Sequence, residues 1–197
     1  SCVSTCSGTP ATGTATASAA DNCSGTATTV AVSGTEVNGG ISYDWESSAD
    51  GSTGWASLGG VYQASISQSP TSTTYYRHVT TCSNSGVSSY SNVVSKTVET
   101  ITAGSGGSSC GTATVDLTAS TNSGTVEWYS ASSGGSAVST GNTYSVSMSS
   151  TTTYYAASSG CTGTRVAVTG SINANPDITA GSDVSYCSGL NGSLSAS

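Results

Sequence analysis

The chain has 197 residues, of which Ser (44), Thr (32) and Gly (25) make up just over half, while Leu, Ile and Val together supply 26 and Phe none. Three Lys and Arg against ten Asp and Glu leave a net charge of −7. That balance excludes the clustered cations on which nucleic-acid and anionic-membrane binding depend, and no apolar run reaches the ~18 residues of a membrane-spanning helix. Charged residues at 7% and only three Pro argue against disorder, which needs high net charge and is often Pro-rich. The enrichment in Val, Thr, Tyr and Trp points instead to an all-β chain, because branched and aromatic side chains suit a pleated, half-buried surface.

In chain order, TATTVAV (26–32) reads as the first clear strand. ISYDWES (41–47) follows, with Ile41, Tyr43 and Trp45 alternating with polar residues, the period-two pattern of a strand with one buried face. VNGG (37–40) and ADGSTG (49–54) read as extended turns. TYYRHVT (74–80) and NVVSKTV (92–98) complete a first group, and TATVDLT (112–118), TVEWYS (125–130), TYYAA (153–157) and RVAVTGSI (165–172) a second. Val126 and Trp128 share one face of their strand, Glu127 and Tyr129 the other. No apolar spacing of helical period persists over ten residues, so no substantial helix is expected.

The two groups are copies of one unit. ITAGS recurs at 101–105 and 178–182, and the same offset of 77 sets Cys110 on Cys187; TTYY recurs at 73–76 and 152–155, offset 79, which also sets Cys82 on Cys161. Such self-similarity marks a tandem array. The expected organisation is a tail of a preceding repeat or linker (1–6), a first module (7–100), a second (101–177) and the start of a truncated third (178–197). Cys187 would then find its partner beyond Ser197, and the chain would be a piece of a longer array. Cys2 and Cys6 form either a small local loop or part of the preceding repeat. Seven Cys in a chain with little aliphatic core imply disulfides and an oxidising, extracellular or periplasmic compartment.

Each module presents Cys in an early strand, Trp in the next, then a Tyr pair and a late Cys, which resembles the two-sheet immunoglobulin-like sandwich. That reading makes Trp45, Tyr76, Trp128 and Tyr155 core residues. It makes Cys23 with Cys82, and Cys110 with Cys161, the staples that flank the modules. Cys82 lies six residues after Tyr76 rather than two, which moves the bridge toward one end of the sandwich. The strings YDWESSADGSTGW, TSTTYYRHVTTCSNSG with SNVV, and EWYSASSGGSAVSTGNTYSV with TTTYYAASSGCTGTRVAV resemble the immunoglobulin-like repeats of giant secreted proteins of Bacteroidota. Such repeats occur in cell-surface adhesins, including those of gliding motility, and in substrates of type IX secretion. The resemblance implies a non-enzymatic stalk or filament on the cell surface, in contact with neighbouring repeats of its own chain and with surface glycans or other copies.

The chemistry-bearing residues fit that expectation. His78 is the only His, which removes His-rich metal sites; a Ser-His-Asp triad would be the remaining His-based option, but on a strand the residue reads as structural. Asp44 and Glu46 share a strand face, yet the second module offers only Glu127 there, so a paired-carboxylate glycosidase site gives way to a hydrophilic sandwich face. Asp50 and Asp183 lack the alternating carboxylates of a calcium loop, leaving Ca²⁺ between modules as a minor expectation and no other cofactor. Asn22 and Asn191 match a glycosylation pattern that is common by chance. Trp55 has no counterpart in the second module and is the candidate ligand contact. Two further functions stand beside the stalk: a spacer or sugar-binding module of a secreted polysaccharide-degrading enzyme, and a filament subunit pairing through NVVSKTV and RVAVTGSI as free edges.

Overall fold

A computed structural model describes residues 5–18, 22–59 and 63–175. Cys2, Tyr62, Asp183, Tyr186, Cys187, Asn191 and the third module (178–197) lie outside the described residues. All regular structure among the described residues is β.

The first module comprises β1 (Thr12–Ala17), β2 (Thr28–Thr35), β3 (Ile41–Ser48), β4 (Ala56–Ser57), β5 (Ser65–Gln68), β6 (Thr74–Cys82), β7 (Val87–Tyr90) and β8 (Val94–Lys96). Its strands form two sheets, β1-β2-β5 and β4-β3-β6-β7, with β8 continuing along β6. Period-two alternation turns Val30 and Val32 of β2, Trp45 of β3 and Tyr76 of β6 into the space between the sheets, where Ala15 joins them. The last strand is broken into β7 and β8 because Ser91 turns its hydroxyl to the His78 amide. The next residue, Asn92, reaches across the sandwich: its side-chain oxygen accepts from the Ala15 amide at 2.8 Å and its nitrogen donates to the Ala15 carbonyl at 3.0 Å. One amide side chain thereby satisfies backbone groups of β1.

The second module repeats the plan with β9 (Ile101–Ala103), β10 (Ser108–Cys110), β11 (Ala113–Thr121), β12 (Val126–Tyr129), β13 (Ser139–Thr140), β14 (Thr143–Met148), β15 (Thr152–Ser158) and β16 (Cys161–Asn173). The sheets are β14-β11-β9 and β10-β16-β15-β12-β13. Its first strand is split: β9 pairs antiparallel with β11, and the chain then crosses to the other sheet, where β10 runs parallel to β16. The crossing needs Gly106, since a Cβ there would lie 1.7 Å from the Thr169 carbonyl oxygen. Val115, Leu117, Ala119, Val126, Trp128, Met148, Ala156 and Val168 form a core separate from that of the first module. Both tryptophans satisfy their indole N–H in the same way, Trp45 on the Gln63 carbonyl and Trp128 on the Gly141 carbonyl.

Three expectations change. Tyr155 is not the core tyrosine of the second module; Tyr154 packs against that core, edge-on to Tyr144, while Tyr155 pairs with Tyr129 on the other face. The register on the tryptophan strand decides this: Trp128 lies opposite Ala156 as Trp45 lies opposite His78. The paired strands therefore align at offset 78, so Tyr76 matches Tyr154 and His78 matches Ala156, one residue short of the offset of 79 between the TTYY strings. RVAVTGSI is not a free edge at its end, where β10 pairs along Ser171 to Asn173. The disulfides also differ: Cys6 bonds Cys82, and Cys23 of the first module bonds Cys161 of the second. Among the described residues Cys110 stands free and exposed.

Candidate functional site: the module joint and the outward aromatic face

The reason for this pairing lies in where each strand ends. In the first module β6 runs from Thr74 to Cys82 and β3 runs antiparallel beside it, so Cys82 lies at the same end as Gly40 and Cys6, the upstream end. Cys23 lies at the opposite end with Asn22, against the outgoing chain. In the second module the β15–β16 hairpin places Cys161 at the upstream end. Cys23 therefore meets Cys161, with Cα atoms 4.9 Å apart, while Cys82 is a strand length away and meets Cys6, with Cα atoms 5.7 Å apart. Both separations suit a disulfide. Cys110, beside Asn173 at the downstream end of its module, is a strand length from Cys161 and is not stapled to it.

Hydrogen bonds lock the same joint. The Glu99 amide donates to the Asn22 carbonyl, and the Asn22 amide donates to the Gly160 carbonyl. The Glu99 carboxylate, 9% exposed, accepts from the Asn22 side chain at 3.0 Å, from the Gly160 amide at 3.0 Å and from the Ser158 hydroxyl. Burial works against its charge, but the three donors together outweigh that cost and hold the carboxyl below its usual range. The pocket is tight: a Cβ at Gly160 would lie 2.4 Å from a Glu99 oxygen. The linker is clamped on both sides, the Val98 amide donating to Thr73 of the first module and the Asn122 side chain of the second donating to the Val98 carbonyl. Backbone groups that would be loose in a tether are thus paired. A polar crevice of about 430 Å³ lies beside the joint, lined by Ser18, Asn22, Ser95, Lys96, Thr97 and Ser123 among others.

Trp55 belongs to a second cluster, on the outward face of the first module. Glu46 on β3 lies opposite Arg77 on β6 and accepts from its Nε at 2.7 Å. The guanidinium is 4.2 Å from the Trp55 ring centre and 4.0 Å from that of Tyr90, a cation–π arrangement that holds the half-buried indole against the sheet. The second module has a counterpart in which Arg165 stacks on Tyr129 and the Tyr129 hydroxyl donates to Glu127. Glu46 and Glu127 are thereby engaged with cations or hydroxyls of their own faces. Asp50 accepts from the Ser52 and Thr53 amides and the Thr53 hydroxyl, which hold its carboxyl below the usual range. Among the described residues no group of three His, Cys, Asp or Glu is placed to hold a metal ion.

His78 sits in the core beside Trp45 and Tyr43, 1% exposed, with Nδ1 lacking a hydrogen-bond partner. Burial pushes its pKa down, against a smaller upward pull from Asp44. A base with a depressed folded-state pKa contributes stability that is full above the unfolded value of about 6.5 and declines as pH falls below it. The first module is expected to melt at progressively lower temperature between pH 7.5 and 5, and His78→Phe to flatten that trend in near-ultraviolet circular dichroism. An unchanged slope in the variant would assign the trend to another group.

Two sandwiches of immunoglobulin-like fold, each with a tryptophan core, are joined by a disulfide and a buried hydrogen-bond hub, as repeat modules of extracellular type. Residues 97–176 match the family model described as Ig-like domain CHU_C associated. Residues 11–100 match the model described as domain of unknown function DUF8696, so the two matches meet at the clamped linker. No curated protein matches the chain.

Proposed function

We propose that the chain is a non-enzymatic stretch of a bacterial cell-surface adhesin, in which immunoglobulin-like modules stack end to end as a stalk. The observation that carries this reading is the joint. A spacer that only had to connect two domains would need no cross-module disulfide, whereas a stalk needs its modules held in one orientation. The resemblance to Bacteroidota repeats supports a type IX secretion substrate of the gliding-adhesin kind. Strand lengths of 9 residues in β6 and 13 in β16, at about 3.3 Å per residue, give two modules end to end a length of roughly 70 Å. Small-angle scattering is therefore expected to give a radius of gyration above about 20 Å, whereas a compact globule of this length would give about 16 Å. The smaller value would overturn the stalk.

Trp55 and Tyr90 favour a second reading, a sugar-binding module of a secreted polysaccharide-degrading enzyme, because aromatic faces stack on sugar rings. Binding on a glycan array that Trp55→Ala abolishes would favour it; binding that persists would remove Trp55 from the contact.

A further inference from the structure

We infer that the two disulfides give this chain a mechanical function: they route tension past both sandwiches, so that force applied along the chain does not unravel either fold. The inference follows from connectivity. Cys23 is bonded to Cys161, 138 residues further on, and Cys6 is bonded to Cys82, 76 residues further on. For a load entering upstream of Cys6 and leaving downstream of Cys161, the shortest covalent route runs from Cys6 through β1 to Cys23, crosses to Cys161 and leaves along β16. The alternative, from Cys6 across to Cys82 and on to Cys161, is several times longer and stays slack.

Everything between residues 24 and 160 is therefore outside the taut path. That includes β2 to β15 and both core tryptophans. Unfolding these strands moves the ends no further apart, so tension does no work on them and cannot favour their opening. Only the stretch carrying β1 and the stretch carrying β16 can give. β1 is held by its pairing with β2 and by the Asn92 clasp on Ala15, and β16 is held by β15 along Val166 to Gly170 and by β10 along Ser171 to Asn173. The strand left on the load path at the downstream side is thus the longest among the described residues, at 13 residues. The clamped linker at Val98 and Glu99 lies inside the bypassed loop, so the joint keeps its orientation while load passes beside it. The use of this path in the cell rests on the stalk reading; the path itself does not.

Single-molecule force extension of the full chain tests it, with peptide tags ligated at both termini and with Cys2→Ser, Cys110→Ser and Cys187→Ser to leave the four bonded cysteines. At about 3.5 Å per extended residue, the loop of 138 residues hides roughly 480 Å of contour. Addition of a phosphine reductant to molecules held under load is expected to release that length. The Cys23→Ser/Cys161→Ser variant is expected to release only about 270 Å, from the 76-residue loop that remains. A gain of about 340 Å or less in the parent chain would overturn the inference, because pairing Cys6 with Cys23 and Cys82 with Cys161 would release about that length and would not place both sandwiches inside one covalent loop. The measurement reads bond connectivity and does not require the substituted chain to keep its fold. A small radius of gyration with the full 480 Å release would overturn the stalk and leave the load path standing.

Discussion

Replacing Trp128 with Ala is expected to lower the melting temperature of the second sandwich by roughly 15–30 °C. The indole is fully buried among Val115, Leu117, Val126 and Ala156, with the Tyr144 ring 5.9 Å away. Truncating a buried aromatic to Ala costs about 3–5 kcal/mol, and a domain of ~75 residues holds only about 4–11 kcal/mol in total. For a domain of that size each kcal/mol shifts the midpoint by about 4–8 °C. The substitution also removes the donor to the Gly141 carbonyl, 2.8 Å away, and the buried remainder of this core is Val, Leu, Ala and one Met. Calorimetry would resolve the effect, with the first sandwich, whose core is built on Trp45, shifting far less. A fall of less than about 5 °C would mean that the core is not organised around this residue.

The Cys23→Ser/Cys161→Ser variant is expected to lose about 2–5 kcal/mol, near the upper end because the enclosed loop is long. Loop-closure entropy rises with loop length, so a staple between modules restricts the unfolded chain more than one within a module would. The loss should separate the two melting transitions, since hydrogen bonds then hold the joint without a covalent link. Non-reducing peptide mapping of the parent chain is the direct check: Cys23 is expected in a linked peptide with Cys161, and Cys6 with Cys82. Finding Cys23 linked to Cys82 would reject the arrangement.

Much of this fold is legible from local pattern. Alternation in ISYDWES places Trp45 inward, and TVEWYS does the same for Trp128 with Glu127 on the outer face, because a strand's side-chain period is two whatever it pairs with. Recurrence of TTYY and of the late cysteine reveals the repeat, and the late position of Cys82 indicates a bridge near one end of its sandwich. Spacing alone misassigned Tyr155, since β15 pairs one residue out of step with the TTYY match and a one-residue shift exchanges the two faces of a strand. Trp55 could be singled out by its absence from the second module, but its capture by Arg77 needed β3, β4, β6 and β7 assembled side by side.

The disulfide network was the least legible part, and its physical reason is general. By itself the sequence determined an all-β chain of tandem sandwiches, with strand positions, inward tryptophans and cysteines near module boundaries, because these are encoded in neighbouring residues. Which cysteines meet depends on which strand ends share an end of the molecule. Antiparallel pairing carries Cys82 and Cys161 to the upstream ends of their modules and leaves Cys23 at a downstream end. That placement is a property of the assembled sheets, so only the tertiary structure could turn two presumed internal staples into one that joins the modules.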